Sequence, residues 1–501
     1  MDKLFSDRNT SIISAGVFLC YLAYRLVLVF FPQPDIGGVE NNVIWFIQRL
    51  LNGEPLYTNP EATPFSIAQY APLYYYLTAA VGKVVGVNPD NVLSVFILSR
   101  LISLLLNLVY AGLVMKTAGK LFNASFNRSI ISGVFTFIFL EILSFSRPDS
   151  LSHLLFFAAF YFFGVFLKQE KENINQNKYL LLASIFSVAA VFAKQSAIIL
   201  PLVFMVWLIR QRRIRPLFLF GSSCIIVTTL LLVVIHLESG LFACYQNTVL
   251  GINNGISLFW FWNNIIKEFY RQFGLLWVPL LFIIIIVFKK HEKAEYRFTS
   301  FCLLLCFVFS NLFALKFGSS PGYFTEWCGI VFASMWVLVA KTDIPPGIKK
   351  SYSYYVNVLI ITILTIKILL ISYPAWEKIR PGAKGAAFEQ YYNDRRVAMK
   401  LSDLLKAKPG TFVFNNIYSP DSYLNNFLFR QTVLPQFEVV IFGTWNNKVF
   451  EYSNFRESFK NGTVQYLLVK PNQTKNFMDI TMDNYKPADT LNGYPIYKYE
   501  N

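Results

Sequence analysis

Four clusters of charged and polar residues interrupt an otherwise apolar sequence. They are Asp35 with Glu40; Arg147-Pro-Asp149; Lys194-Gln195; and the run from Lys316 through Gly318-Ser-Ser-Pro-Gly-Tyr323 to Glu326. A carboxylate held at the edge of a hydrocarbon layer can take a proton from a hydroxyl, which is general-base work. Asp35 suits that role: it follows Pro32 and Pro34 and precedes Gly37-Gly38. Glu40, five residues on, is the second candidate; the competing reading is that one of the two only caps a helix beginning near Asn41. Arg147 and Asp149 flank Pro148, either as a local ion pair pinning a turn or as a phosphate contact and a substrate contact. The Lys194 ammonium beside Gln195 suits a phosphate oxygen, with snorkelling to the membrane interface as the alternative. Lys316 and Glu326 bracket a Gly/Ser-rich stretch whose backbone can approach a ligand closely. His153, His236 and His291 are scattered and receive no ligand role, and neither a P-loop nor a dinucleotide-binding glycine motif is present.

The elements that must position these groups are membrane helices. Of 501 residues 55% are hydrophobic, with 50 Phe and 28 Tyr, and only 15% are charged. The apolar residues come in blocks able to cross a hydrocarbon layer about 30 Å thick, roughly 20 helical residues each. Such runs lie at about 11–31, 94–115, 129–146, 150–167, 179–193, 196–209, 216–235, 274–288, 298–315, 326–340 and 353–373. The expected fold class is therefore an all-α polytopic membrane protein with about eleven transmembrane helices. The net charge of +16 does not point to nucleic acid, because most Lys and Arg sit in short loops between apolar runs, where they orient helices. Six cysteines without a C-x-x-C pair signal neither a zinc site nor a disulfide framework. The first apolar run lacks a small-residue cleavage site and reads as a retained span.

Loop charges set the orientation. With the N-terminus cytoplasmic, the inner loops hold about 19 Lys and Arg and the outer loops before the tail about 7. An odd span count then puts residues 374–501 outside. This gives two domains, a membrane domain over 1–373 and an extracytoplasmic α/β domain over 374–501. Three outer segments exceed simple connectors. In 32–93, the stretches 41–52 and 72–86 have amphipathic helical character and lie along the membrane surface. The segment 236–273 mixes Asn with Trp260, Phe261 and Trp262, as an interfacial loop does. The tail predicts a helix over 394–407 and short strands at 411–414, 464–469 and 495–499.

The order of these features resembles the polytopic GT-C glycosyltransferases, especially the bacterial branch related to protein mannosyltransferases and lipid A aminoarabinose transferases. The matching pieces are the acid after the first span, Gly53-Glu-Pro-Leu-Tyr57, Tyr70-Ala-Pro-Leu73, Arg147-Pro-Asp149, Ala193-Lys-Gln195 and Tyr323-Phe-Thr-Glu326. The resemblance implies an inverting transferase of the bacterial cell envelope. It would use a polyprenyl-phosphate sugar donor from the bilayer, with a lipid, glycan or protein acceptor and no nucleic acid. It implies Asp35 as the catalytic carboxylate, Arg147 and Lys194 as phosphate contacts, and Tyr57, Tyr70, Asp149, Gln195, Lys316, Tyr323 and Glu326 as substrate-binding residues. Many relatives carry adjacent Asp-Glu in the first loop, whereas Ile36-Gly-Gly-Val39 separates the two acids here. Some relatives bind a divalent metal cation, and Asp35, Glu40 and Asp149 are the acids available for one. The competing classes are a glycan polymerase or ligase, usually marked by a large late outer loop, and a lipid-linked-sugar flippase or transporter, which would carry charges along span interiors and on both faces.

Overall fold

In the computed structural model the described residues are 6–32, 39–140, 145–169, 176–268, 277–340, 346–406, 408–415, 422–435, 439–468, 480, 482–491 and 494–500. The apolar runs are helical: α1 (Asp7–Val29), then two short helices α2 (Val39–Leu51) and α3 (Leu73–Val84), followed by α4 (Val92–Lys120), α5 (Phe126–Phe139), α6 (Asp149–Gln169), α7 (Asn177–Ala193), α8 (Ile199–Arg210), α9 (Ile214–Glu238), α10 (Trp277–Lys289), α11 (Ala294–Ala314), α12 (Thr325–Ser334) and α13 (Pro346–Ile379). Polar residues start several of them: the Ser6 hydroxyl accepts the Asn9 N–H at α1, and the Asn91 side chain accepts the Ser94 N–H at α4.

Among the described residues six helices are long and apolar enough to cross a bilayer: α1, α4, α6, α9, α11 and the Tyr354–Ile371 part of α13. The expected count of eleven spans is thus not reproduced by length. Four further apolar helices run only 10–17 residues, and the run at 326–340 divides between Thr325–Ser334 and Trp336–Ala340. The break between α7 and α8 has a local cause. Lys194 adopts an extended backbone (φ −153°, ψ 126°) and a 3-10 turn over Gln195–Ile198 restarts the chain.

The helices pack through aromatic rings. Phe163 stacks on Phe204 with centroids 4.2 Å apart and meets Phe298 at 4.7 Å, offset contacts that add to the burial of large apolar surface. Residues such as Leu105, Val109, Ile225 and Leu230 point outward, a surface that lipid, not water, must cover. The six hydrophobic helices make this an integral membrane protein. Its charged ends are sorted: Asp7 pairs with Arg128 at 3.1 Å, Lys168 donates to the Lys120 carbonyl, and Asn357 donates to Asp7. One end of the bundle therefore gathers the start of α1, the end of α4, the start of α5 and the end of α6.

The opposite end carries α2, α3 and the tail. Beyond α13 a further helix α14 (Pro381–Lys406) leads into a four-stranded sheet, β1 (Phe412–Asn415), β2 (Val464–Leu468), β3 (Tyr485–Leu491) and β4 (Tyr494–Tyr499), in the order β1-β2-β4-β3. β1 and β2 are parallel; the other pairs are antiparallel. The sequence reading found β1, β2 and β4 and missed β3, an edge strand whose Lys486-Pro-Ala-Asp-Thr490 face solvent. Polar residues and Pro protect such edges from further pairing, which erases the apolar signature.

A buried polar seam joins tail to α2. Asn426 Nδ2 donates to the Asn41 carbonyl and to Gln48 Oε1, Gln48 Nε2 donates to the Asn426 carbonyl, and Asn41 Nδ2 donates to the Ser422 carbonyl, all within 2.9–3.1 Å. The Tyr423 N–H donates to Asp394 of α14 at 2.7 Å. Burial holds the Asp394 carboxyl up at about 6.

Candidate functional site

A cavity of about 620 Å³ opens at the end of the bundle that carries α2 and α3, where the first residues of α2 and α6 meet the α7–α8 break and the segments 252–260 and 312–323. Tyr70, Arg147, Asp149, Lys194, Gln195, Lys316 and Tyr323 all line it. Seven of the residues singled out in sequence, from four separate segments, thus share one space.

Each is held by its own local structure. Asp149 opens α6, where a carboxylate complements the helix dipole, and it pairs directly with Lys194. The Lys194 Nζ also sits 4.4 Å from the centroid of the Tyr323 ring, a cation–π contact that fixes the ammonium from a second side. Gly322 lies against this pair: a Cβ there would stand 3.6 Å from Asp149 Oδ1. Gln195 projects its amide to the carbonyls of Gln69 (2.9 Å) and Thr248 (3.2 Å), tying the two long loops together at the cavity wall.

Lys316 is presented by a short ladder. The Ser257 N–H donates to the Leu315 carbonyl and the Phe317 N–H to the Gly255 carbonyl, each at 3.0 Å, so that Ile256 and Lys316 pair as antiparallel neighbours. Gly255 takes φ +77° to make the turn, a conformation that side-chain-bearing residues rarely adopt. The Lys316 ammonium has no ion-pair partner among the described residues. Burial, with Lys194 nearby, lowers it to about 8. With Arg147, Lys194 and Lys316 on its wall and Asp149 as the one acid among its lining residues, the cavity is cationic. Cations in a partly dry space bind phosphate oxygens strongly.

The remaining candidates lie elsewhere. Tyr57 is 1% exposed and does not line the cavity; its hydroxyl donates to the Tyr70 carbonyl at 3.0 Å and braces the residue that does. Glu326 also stands outside the cavity, its Oε1 3.2 Å from Nε2 of buried His153. Asp35 lies outside the described residues. Glu40 is fully buried, and both its oxygens accept from Arg100, Nε–Oε1 and Nη2–Oε2 at 2.7 Å each. Its Oε1 also accepts the Ser146 N–H at 3.0 Å. That geometry suits a structural pin better than a base, because every oxygen is already engaged by a cation or an amide.

Arg100 extends the pin. Its Nη1 donates to the carbonyls of Leu28 (3.0 Å), in the last turn of α1, and of Phe31 (2.6 Å), two residues past its end. One ion pair therefore fastens the end of α1, the start of α2 and the turn that delivers Arg147. The sequence reading missed Arg100, although an arginine inside the apolar run 94–115 was the available signal, since an ionisable group at membrane depth needs a partner. His153 was likewise passed over.

Among the described residues no three His, Cys, Asp or Glu converge where a metal ion would sit. Of the three acids named for a divalent cation, Asp149 pairs with Lys194, Glu40 pairs with Arg100, and Asp35 lies outside the described residues.

The fold thus combines helices around a cationic cavity, two short helices at the same end and a small α/β tail. No family model matches the sequence, and no curated protein does. The structure is similar to ArnT from Cupriavidus metallidurans bound to undecaprenyl phosphate, with a TM-score of 0.59 at 14% identity, covering 96% of this chain and 97% of that one. It is also similar to the Archaeoglobus fulgidus oligosaccharyltransferase in complex with Zn and sulfate, with a TM-score of 0.58 at 12% identity over 92% of this chain and 67% of that one. A third similar structure is AglB from the same organism with an inhibitory peptide and a dolichol-phosphate, at a TM-score of 0.52 and 11% identity, covering 91% and 69%. ArnT and AglB are GT-C glycosyltransferases; at these identities it is the fold that is shared.

Proposed function

We propose that this protein is a membrane glycosyltransferase that moves a sugar from a polyprenyl-phosphate carrier to an acceptor hydroxyl on the extracytoplasmic face. The observation that carries the reading is the convergence of Arg147, Lys194 and Lys316 on one cavity at an end of a membrane bundle. The undecaprenyl phosphate on ArnT and the dolichol-phosphate on AglB are consistent with a lipid phosphate in this fold.

The chemistry follows from the charges. The donor phosphate lies against Lys316 and Arg147, while Asp149 and Tyr323 hold Lys194 at the cavity wall. Asp35, which lies in sequence between Phe31 and Glu40, both bonded to Arg100, takes the proton from the acceptor hydroxyl. The acceptor oxygen bonds to the anomeric carbon as the bond from that carbon to the phosphate oxygen breaks, and the electron pair leaves with the polyprenyl phosphate. Charge on the departing phosphate grows in the transition state, where fixed cations stabilise it most. A single displacement inverts the anomeric carbon. The sorted loop charges support an N-terminus in the cytoplasm and a tail outside, at the plasma membrane of a bacterium.

The test is reconstitution in lipid with a panel of polyprenyl-phosphate sugars. Transfer by the wild type that Asp35→Asn abolishes supports the reading. Lipid scrambling without sugar transfer from any donor overturns it.

A further inference from the structure

A second cavity, about 660 Å³, lies between α14 of the tail, the turn before α4 and the segment 427–431. It is separate from the reaction cavity but tied to it through α2. Val39 lines the reaction cavity. Nine residues on, Gln48 donates to the carbonyls of Pro89 and Asn426, which neighbour the second cavity's wall. Nine helical residues span about 14 Å.

Its lining combines a packed aromatic wall with hydrogen-bonding groups. Buried Tyr391 and half-buried Phe427 meet at 5.2 Å between centroids and back the cavity. Asn88, Asn91, Ser402 and Gln431 supply uncharged donors and acceptors on the rim. Two cations on the rim are already matched: Arg430 with Asp90 at 3.5 Å and Lys406 with Asp403 at 2.7 Å. Arg395 is not. It is exposed, lines the cavity, and has no ion-pair or hydrogen-bond partner among the described residues.

We propose that this cavity is an exosite for an anionic oligosaccharide, the distal part of an extended acceptor glycan whose reacting end reaches the first cavity. Sugar hydroxyls meet the amide and hydroxyl side chains of the lining, and exposed Arg395 takes the carboxylate or phosphate group as a planar fork. A peptide ligand fits less well, because Met399 is the one strongly exposed large apolar side chain of the lining. The assignment rests on the transferase reading only in taking the ligand for an acceptor; binding itself is read without turnover.

The experiment is a titration of the purified full chain with a heparin-derived tetrasaccharide and with neutral maltotetraose, followed by saturation-transfer NMR. The charged tetrasaccharide binds the wild type, and Arg395→Glu weakens it about tenfold or more through charge reversal. Arg395 is exposed, so the variant keeps the wild-type melting temperature. Equal binding of the neutral sugar, unchanged binding in Arg395→Glu, or full displacement by equimolar inorganic phosphate overturns the exosite. A second arm compares long and short acceptors in the transfer assay. Arg395→Glu raises KM for the long acceptor alone, leaving kcat unchanged; an equal rise for both overturns the proposal. Absence of all transfer by the wild type instead overturns the transferase reading and leaves the binding result standing.

Discussion

Glu40 and Arg100 form a bidentate ion pair, 2.7 Å at each contact, with neither side chain exposed. Sixty positions apart in sequence, they join the helix that follows the candidate catalytic loop to the first long span after it. A buried pair of this kind adds little net stability relative to an apolar pair, but breaking it by removing one partner is costly. Its value here is register: it fixes both borders of the loop that carries Asp35.

That difference separates two variants. Glu40→Gln or Arg100→Ala is expected to destabilise the fold by about 3–5 kcal/mol, and Arg100→Lys is expected not to restore it, because an ammonium cannot make the forked contact. Asp35→Asn is expected to remove activity with an unchanged melting temperature. Thermal unfolding in detergent beside a transfer assay distinguishes these, and a stable, inactive Glu40→Gln would transfer the base role to Glu40.

Asp149 and Lys194 are expected to be strongly coupled. Asp149→Ala leaves a buried ammonium without its carboxylate, and Lys194→Ala leaves the reverse. Each single change is expected to cost several-fold more in protein stability than its share of the double change, with a coupling of about 1–3 kcal/mol in a double-mutant cycle. Additive effects would show that the pair is not a unit.

Lys316 predicts a pH dependence. Its ammonium is lowered to about 8, so it is charged below that pH and neutral above. A donor phosphate held by it binds well below pH 8 and loses the contact as pH rises through that value. Donor KM is expected to rise several-fold between about pH 7 and pH 9. Lys316→Arg is expected to flatten the profile, since a guanidinium keeps its charge throughout, and Lys316→Ala to give a high, flat KM.

The tail seam is expected to be specific. Asn426→Ala leaves Gln48 Oε1 buried without its donor, a loss of about 1–3 kcal/mol. Limited proteolysis is expected to cut between α13 and β1 faster in this variant, and the transfer rate to fall as α2 loosens. Wild-type protease resistance would show that the seam carries no coupling.

The sequence by itself determined the membrane class, the position of most apolar helices to within a few residues, the two short amphipathic helices after the first span and three of the four tail strands, and it singled out seven residues that line the cationic cavity. These follow from local rules: apolar runs, periodicity and loop charge are written in neighbouring residues. Lys194 stood out because a charge between apolar halves is costly wherever it falls. Only the tertiary structure decided what the four clusters share. It joined Arg147, Asp149, Lys194, Lys316 and Tyr323 in one space, moved Tyr57 and Glu326 behind that space, and gave Glu40 to Arg100. It also divided the apolar run at 326–340 between two helices. Partners 45 to 129 residues away in the chain leave no periodic trace, and side-chain commitment is settled by packing alone.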